Sequence, residues 1–323
     1  AIDTADKNGA EDLAAAITAA EAALAAEDAT KESYQSATAA LQTAIGTFNI
    51  ANMDFQYQKY LVMNVESNMY WGAGNSWGTQ ASLVKNAEYV KLVPLADGTY
   101  NLESQVNNGG TSYYFNGDYM DNGSPVALTI TKIEQPVAYD ENEQPIYAYT
   151  IANGDNYYGW DGTSTVLGKN LAADSENAAW IIVSLDDAKA QLANAGVNDP
   201  VDATFLIEDH DFGRNNRYSN KWTANGVNNI SGGNNTNNCA ESYHAAFTLS
   251  QTLADAPAGV YALTAQGFYR QDGSDEENLP VFFANDETAT FPLKTTSENS
   301  MSEASASFSA GNYTIDPIYV KVE

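Results

Sequence analysis

Met69-Tyr70-Trp71-Gly72, Tyr113-Tyr114-Phe115-Asn116-Gly117 and Tyr157-Tyr158-Gly159-Trp160 put a tyrosine at positions 70, 114 and 158, a constant step of 44 residues. A strand-like segment precedes each one: Tyr60-Leu61-Val62-Met63-Asn64-Val65, Thr99-Tyr100-Asn101-Leu102-Glu103 and Tyr147-Ala148-Tyr149-Thr150-Ile151. Another follows: Tyr89-Val90-Lys91-Leu92-Val93, Val126-Ala127-Leu128-Thr129-Ile130 and Trp180-Ile181-Ile182-Val183. Self-similarity at a fixed period marks a repeated architecture. Three copies of a short all-β unit predict a closed three-lobed β domain over residues 57–186, with Tyr70, Tyr114 and Tyr158 packing a shared core. Turn signals such as Asp97-Gly98, Asn122-Gly123, Asn153-Gly154 and Asp161-Gly162 divide each unit into about four strands, roughly twelve in all.

Residues 1–56 differ. Leu13, Ile17, Ala20 and Leu24 recur at helical spacing, and so do Tyr34, Leu41, Ile45 and Phe48. Asp28-Ala29-Thr30 breaks the pattern, with Thr30 the expected N-cap of a second helix. Two short alanine-rich helices bury little by themselves, so this segment must lean on a third helix or on the next domain. Residues 187–201 read as a helical linker, ended by Gly196 and Pro200. From 202 to 323 the strand patterns resume at 204–207, 247–249, 261–265, 281–283 and 318–322, around an Asn/Gly-rich loop at 225–238. They predict a β-sandwich, with Tyr261, Leu263 and Ala265 on its inner face and Ala262, Thr264 and Gln266 on the wetter one. The 318–322 pattern reaches Glu323 with no turn or partner after it, so the sandwich is expected to be C-terminally incomplete.

Charge narrows the partners. Lys and Arg total 14 against 42 Asp and Glu, a formal net charge of −28. Phosphate backbones and anionic membrane surfaces need clustered cations, so neither nucleic acid nor membrane is an expected partner. No apolar run approaches the ~18 residues of a membrane span. The lone Cys239 cannot form an intramolecular disulfide and reads as a small buried residue.

No phosphate loop, nucleophile elbow or zinc-protease helix is present. Asp209-His210-Asp211 reads as a turn, since neighbours on a strand point to opposite faces. No cofactor is expected, although the Asp272-Gly273-Ser274-Asp275-Glu276-Glu277 loop has oxygen donors for a structural Ca²⁺. Binding chemistry is easier to place. A sugar offers an apolar C–H face and hydroxyl edges, which suit an aromatic ring beside polar turn residues. The candidates are Trp71 and Trp77 around Asn75, Trp160 with Asp161, and Trp222 with Tyr243 beside the Asn-rich loop.

The three-unit segment resembles a β-trefoil of the ricin-type lectin kind. Asn177-Ala178-Ala179-Trp180 stands near that family's Gln-x-Trp mark; Tyr89 and Leu128 occupy the comparable place in the other units. The run Ala258-Gly259-Val260-Tyr261-Ala262-Leu263-Thr264-Ala265-Gln266-Gly267-Phe268-Tyr269-Arg270, with Asp211-Phe212-Gly213 and Trp222 upstream, resembles galactose-binding-like jelly-roll domains in secreted proteins of glycan-degrading gut bacteria. The helical segment is similar to small bundle modules of bacterial surface proteins. Together these resemblances imply a mainly β, multidomain chain: helical hairpin, β-trefoil-like domain, jelly-roll sandwich. They imply a secreted or cell-surface protein that binds a glycan without catalysis. Two alternatives stand beside this: a structural or adhesion spacer that binds protein partners, and a non-catalytic fragment of a larger glycoside-processing enzyme.

Overall fold

The computed structural model describes residues 7–74, 78–106, 113–140, 142–210, 212, 221–227, 239–242, 245–270, 279–294 and 311–323. The chain divides into two compact units, Ala1–Leu185 and Asp186–Glu323.

Unit 1 opens with α1 (Ala10–Ala25) and α2 (Lys31–Ala51). Thr30 caps α2 as its position requires. Its hydroxyl accepts the Ser33 N–H at 3.1 Å, and Ser33 Oγ accepts the Thr30 N–H at 2.9 Å, a reciprocal capping box. The two helices form a hairpin held by small residues. Ala16, Ala20 and Ala23 are half-buried with Leu13, whereas Ile17 and Leu24, expected on the inner face, are exposed. What α2 leans on is the β region. Gly46 is buried against Ala96, and the Asn49 side-chain amide donates to the Ala96 carbonyl at 2.9 Å.

Ten strands then form a curled antiparallel half-barrel. They are β1 (Lys59–Asn64), β2 (Tyr70–Gly74), β3 (Gln80–Val84), β4 (Tyr89–Pro94) and β5 (Tyr100–Glu103). The rest are β6 (Thr129–Tyr139), β7 (Pro145–Asn153), β8 (Asn156–Gly159), β9 (Gly168–Leu171) and β10 (Ala179–Ser184). β1 is the hub, pairing with β10, β4 and β2. Tyr100 and Leu128 exchange backbone hydrogen bonds of 2.8 and 2.7 Å, which joins β5 to the residue entering β6. Buried Asn64 locks the β1–β2 turn: its amide donates to the Asn177 and Ala179 carbonyls while its oxygen accepts from Ser67.

The core is aromatic. Trp71, Phe115 and Trp180 are 0% exposed and Tyr158 is 1% exposed. Trp71 stands 5.1 Å from Phe115, 5.8 Å from Tyr158 and 5.1 Å from Trp180 between ring centroids. The first two segments contribute one ring each and the third contributes two, and of these four only Tyr158 belongs to the tyrosine period. Tyr70 and Tyr114 are half-buried, and their neighbours Trp71 and Phe115 fill the core, while in the third unit Tyr158 itself does so. A one-residue slip moves a strand side chain to the opposite face, so the identical residue and the identical role part company. A second cluster surrounds Phe55, with Tyr60 at 5.4 Å, Tyr100 at 6.0 Å and Tyr149 at 4.9 Å.

Unit 2 begins after Leu185, the first residue of α3 (Leu185–Gln191). Its described strands pair as β11 (Thr223–Asn225) with β12 (Thr248–Ser250), β13 (Gly259–Leu263) with β16 (Ile318–Val322), and β14 (Val281–Ala284) with β15 (Glu287–Thr290). All are antiparallel two-stranded sheets. Tyr261, Leu263 and Ala265 are half-buried and Ala262, Thr264 and Gln266 exposed, the alternation their sequence predicts. One expectation fails. Residues 204–206 form a 3-10 turn rather than a strand, because the Leu206 and Ile207 N–H groups bond back to Ala203 and Thr204. The last strand, β16, pairs with the earlier β13 over five residues. Cys239 is buried, as expected. Among the described residues no helix is long and apolar enough to cross a membrane.

The Trp71 indole N–H has no acceptor among the described residues. Its contribution is therefore packing alone. Trp71→Ala should cost ~3–5 kcal/mol of stability. Trp71→Phe keeps a ring and abandons no hydrogen bond, so its urea midpoint should fall far less. Equal losses for the two variants would mean that the N–H, not the ring, matters.

Candidate functional site

Strand pairing assembles one row of outward side chains. Lys59 of β1 lies opposite Lys91 of β4, and Lys91 lies opposite Glu103 of β5. Bridges extend the row from Glu103 to Tyr114 and from Tyr114 to Asn122. Directly opposed residues share a face, here the one opposite the buried Val90, Leu92 and Leu102. Tyr57, two residues before Lys59, is 56% exposed and leans over the row.

The polar contacts are close. Lys91 Nζ donates to Glu103 Oε1 at 2.8 Å, Tyr57 Oη donates to Glu103 Oε2 at 3.2 Å, and Lys91 Nζ lies 3.3 Å from Tyr57 Oη. The Glu103 side chain is only 7% exposed. A carboxylate so buried is costly unless paired and hydrogen-bonded, and here both oxygens are engaged. Burial by itself would lower the Lys91 pKa, but the hydrogen bonds to Glu103 and then Tyr57 outweigh it and hold the pKa above its ordinary value. The Tyr114 phenol is pushed up, first by burial and then by the Glu103 charge. Lys59 Nζ sits 4.2 Å from the centroid of the Tyr89 ring, a cation–π contact. The result is an exposed phenol ring fixed beside a charged donor and a buried charged acceptor.

The residues expected from sequence fall elsewhere. Trp71 is sealed in the core and cannot stack on a ligand. Trp160 is half-buried, its backbone N–H donating to the Asn177 carbonyl at 3.0 Å. Next to it, Asp161 Oδ1 accepts from the N–H groups of Ser164 at 2.6 Å and Thr163 at 2.8 Å. Those bonds lower its pKa and make it the organiser of an exposed turn. Trp222 is half-buried, donates from Nε1 to the Asp209 carbonyl at 2.9 Å and packs 5.2 Å from Phe212. Trp160 and Asp161 therefore remain side by side on a turn, and Trp222 serves local packing in unit 2. Asn75, Trp77, Tyr243 and the 272–277 loop lie outside the described residues. Among the described residues no three His, Cys, Asp or Glu side chains converge on a metal position.

No sequence motif marks Tyr57, Lys91 or Glu103 as a site. A signal exists: counting a hairpin register outward from the three-residue turn Ala96-Asp97-Gly98 sets Lys91 against Glu103. Nothing local, however, brings Tyr57 to them.

No protein-family model matches this chain, and no curated protein sequence matches it. Among solved structures, a salivary protein from Culex quiquefasciatus that belongs to the Cysteine and Tryptophan-Rich (CWRC) family is distantly similar, at 14% identity and a TM-score of 0.27. That likeness covers 41% of this chain and 96% of the salivary protein.

The raised Lys91 pKa fixes a sign. Its pairing contributes fully below the unfolded lysine value of about 10.4 and is lost as pH rises through the folded value. The urea midpoint should decline above about pH 10.4, and less so in the double variant Lys91→Met/Glu103→Gln, which lacks the pair. Identical alkaline slopes in the two proteins would remove Lys91 as the cause.

Proposed function

We propose that this chain is a non-catalytic carbohydrate-binding protein, secreted or displayed at a cell surface, and that the Tyr57–Lys91–Glu103 row of unit 1 is a sugar site. The observation that carries this reading is the exposed Tyr57 ring, held by hydrogen bonds to partners that can also meet hydroxyls. A pyranose laid on the ring places its C–H face against the phenol and its edge toward Lys91 and Glu103. Lysine has three donors, and an ionised carboxylate has about four acceptor positions, so each keeps capacity for a hydroxyl after pairing with the other. Because the ring is already positioned, little side-chain entropy is lost on binding. Trp160 with Asp161 is the second candidate patch.

The finer fold reading belongs to the same proposal. A β-trefoil arrangement for residues 57–186 is supported by three tyrosines, one from each unit, around Phe55. It is supported also by a hydrogen-bonded path from β1 through β4, β5, Leu128, β6, β7 and β10 back to β1. A jelly-roll arrangement for residues 202–323 is supported by the antiparallel pairs and the alternation along 261–266. The spacer reading draws on a specific observation too: Trp71, one of the rings expected to stack on sugar, is wholly buried.

Binding separates these readings. On a glycan array, each hit should weaken roughly threefold to tenfold in Tyr57→Ala, the loss of about 0.5–1.5 kcal/mol of ring stacking. Tyr57→Phe should retain most of the affinity. Both variants take a hydrogen bond from the buried Glu103 carboxylate, so both should lower the thermal midpoint by a similar amount, while only Tyr57→Ala should lose the ring's share of binding. An array without a hit would leave the spacer reading in front.

A further inference from the structure

The row does not end at Glu103. Tyr114 stands directly opposite Glu103, and Asn122 directly opposite Tyr114. Tyr114 and Asn122 exchange backbone hydrogen bonds of 2.9 and 3.2 Å, so both side chains leave the sheet on the side away from buried Phe115. Tyr57, Lys91 and Glu103 bind one another. The two residues beyond them do not. Among the described residues, the Tyr114 hydroxyl has no hydrogen-bond partner, and Asn122 uses only its side-chain oxygen, which accepts the Ser124 N–H at 2.8 Å. Burial and then the Glu103 charge raise the Tyr114 pKa, so the phenol stays a protonated donor. Neighbouring strands lie ~4.8 Å apart, so Lys91, Glu103, Tyr114 and Asn122 mark three steps, about 14 Å in all, across the strands. One step is close to the length of one pyranose unit in an extended chain. An open hydroxyl and an open amide thus follow the Tyr57 ring at the interval of a sugar repeat, and nothing in the Tyr57–Lys91–Glu103 triple has to move for a ligand to reach them.

We propose that this row spans at least three units of a neutral linear polysaccharide and does not capture a single sugar: one unit rests on Tyr57, and the next two run across the strands to the donors of Tyr114 and Asn122. The net charge of −28 opposes an acidic polymer at long range, which favours a neutral one. The inference rests on the carbohydrate reading of the same site and names the form of the ligand within it.

The test uses the whole chain and unbranched β-1,4-linked oligomers of glucose, xylose, mannose and galactose, from one to six units long. In titration calorimetry, affinity for at least one series should rise about tenfold or more from the single sugar to the trisaccharide and level off soon after. Tyr114→Phe removes only the hydroxyl, and Asn122→Asp keeps the oxygen that accepts from Ser124 while removing the amide donor. Each should weaken trisaccharide binding roughly threefold to tenfold, the worth of one hydrogen bond, and leave binding of the single sugar unchanged. Melting temperatures of the two variants check that the fold is kept. Equal affinity for one unit and three, or trisaccharide binding untouched by both substitutions, overturns the chain proposal and leaves carbohydrate binding standing. Failure of every oligomer to bind also overturns the chain proposal, and the carbohydrate reading falls with it only if the glycan array shows no hit.

Discussion

The contact between Trp71, Phe115, Tyr158 and Trp180 is the constraint on which the β region of unit 1 depends. Four large rings, all but inaccessible to water, come from β2, from the segment after β5, from β8 and from β10. Rings of this size bury more apolar surface than aliphatic residues do, and tilted and edge-on geometries add to that. They also leave little freedom nearby. Gly159 lies so close to the Asn177 carbonyl that any side chain there would collide with it. Trp180 Nε1 donates to the Tyr158 carbonyl at 3.0 Å, which ties two of the four ring-bearing segments by a buried hydrogen bond as well as by packing.

With that core in place, β1 is held between β10 and β4, and the outward row follows from the register of three strands. The sugar site we propose is thus a consequence of sheet pairing more than of loop chemistry. The same economy of cations recurs in unit 1: Lys169 of β9 pairs with Asp118, joining two repeats across 51 residues of chain. Exposed pairs of this kind add little stability. The Lys91–Glu103 pair differs because its acid is buried, where losing a partner is far costlier than the pair itself is stabilising. That asymmetry keeps Lys91 and Tyr57 in position whether or not a ligand is bound.

The acidity of the chain gives these few lysines unusual weight. A net charge of −28 repels other anions and copies of the chain at long range, and that effect is screened beyond about 10 Å in 0.1 M salt. In unit 2 the aromatic residues are used otherwise: Trp222 bonds to the Asp209 carbonyl and packs on Phe212, a local fastening and not an open ring.

The sequence by itself determined what depends on neighbours along the chain. Thr30 announces its capping box, the apolar spacing announces two helices, and alternation along 261–266 assigns inner and outer faces correctly. The 44-residue step of the three tyrosines is legible too, although the strands do not divide evenly among the three segments. Tertiary structure alone decided which aromatic in each repeat enters the core. Tyr70 and Tyr114 obey the period, yet Trp71 and Phe115 are buried, because a face is assigned by strand register and register is a pairing between distant segments. The site has the same origin. Tyr57, Lys91 and Glu103 span 46 residues, and their hydrogen bonds exist only once β1, β4 and β5 are aligned. Local periodicity can say that a residue faces outward; only the paired sheet says what stands beside it.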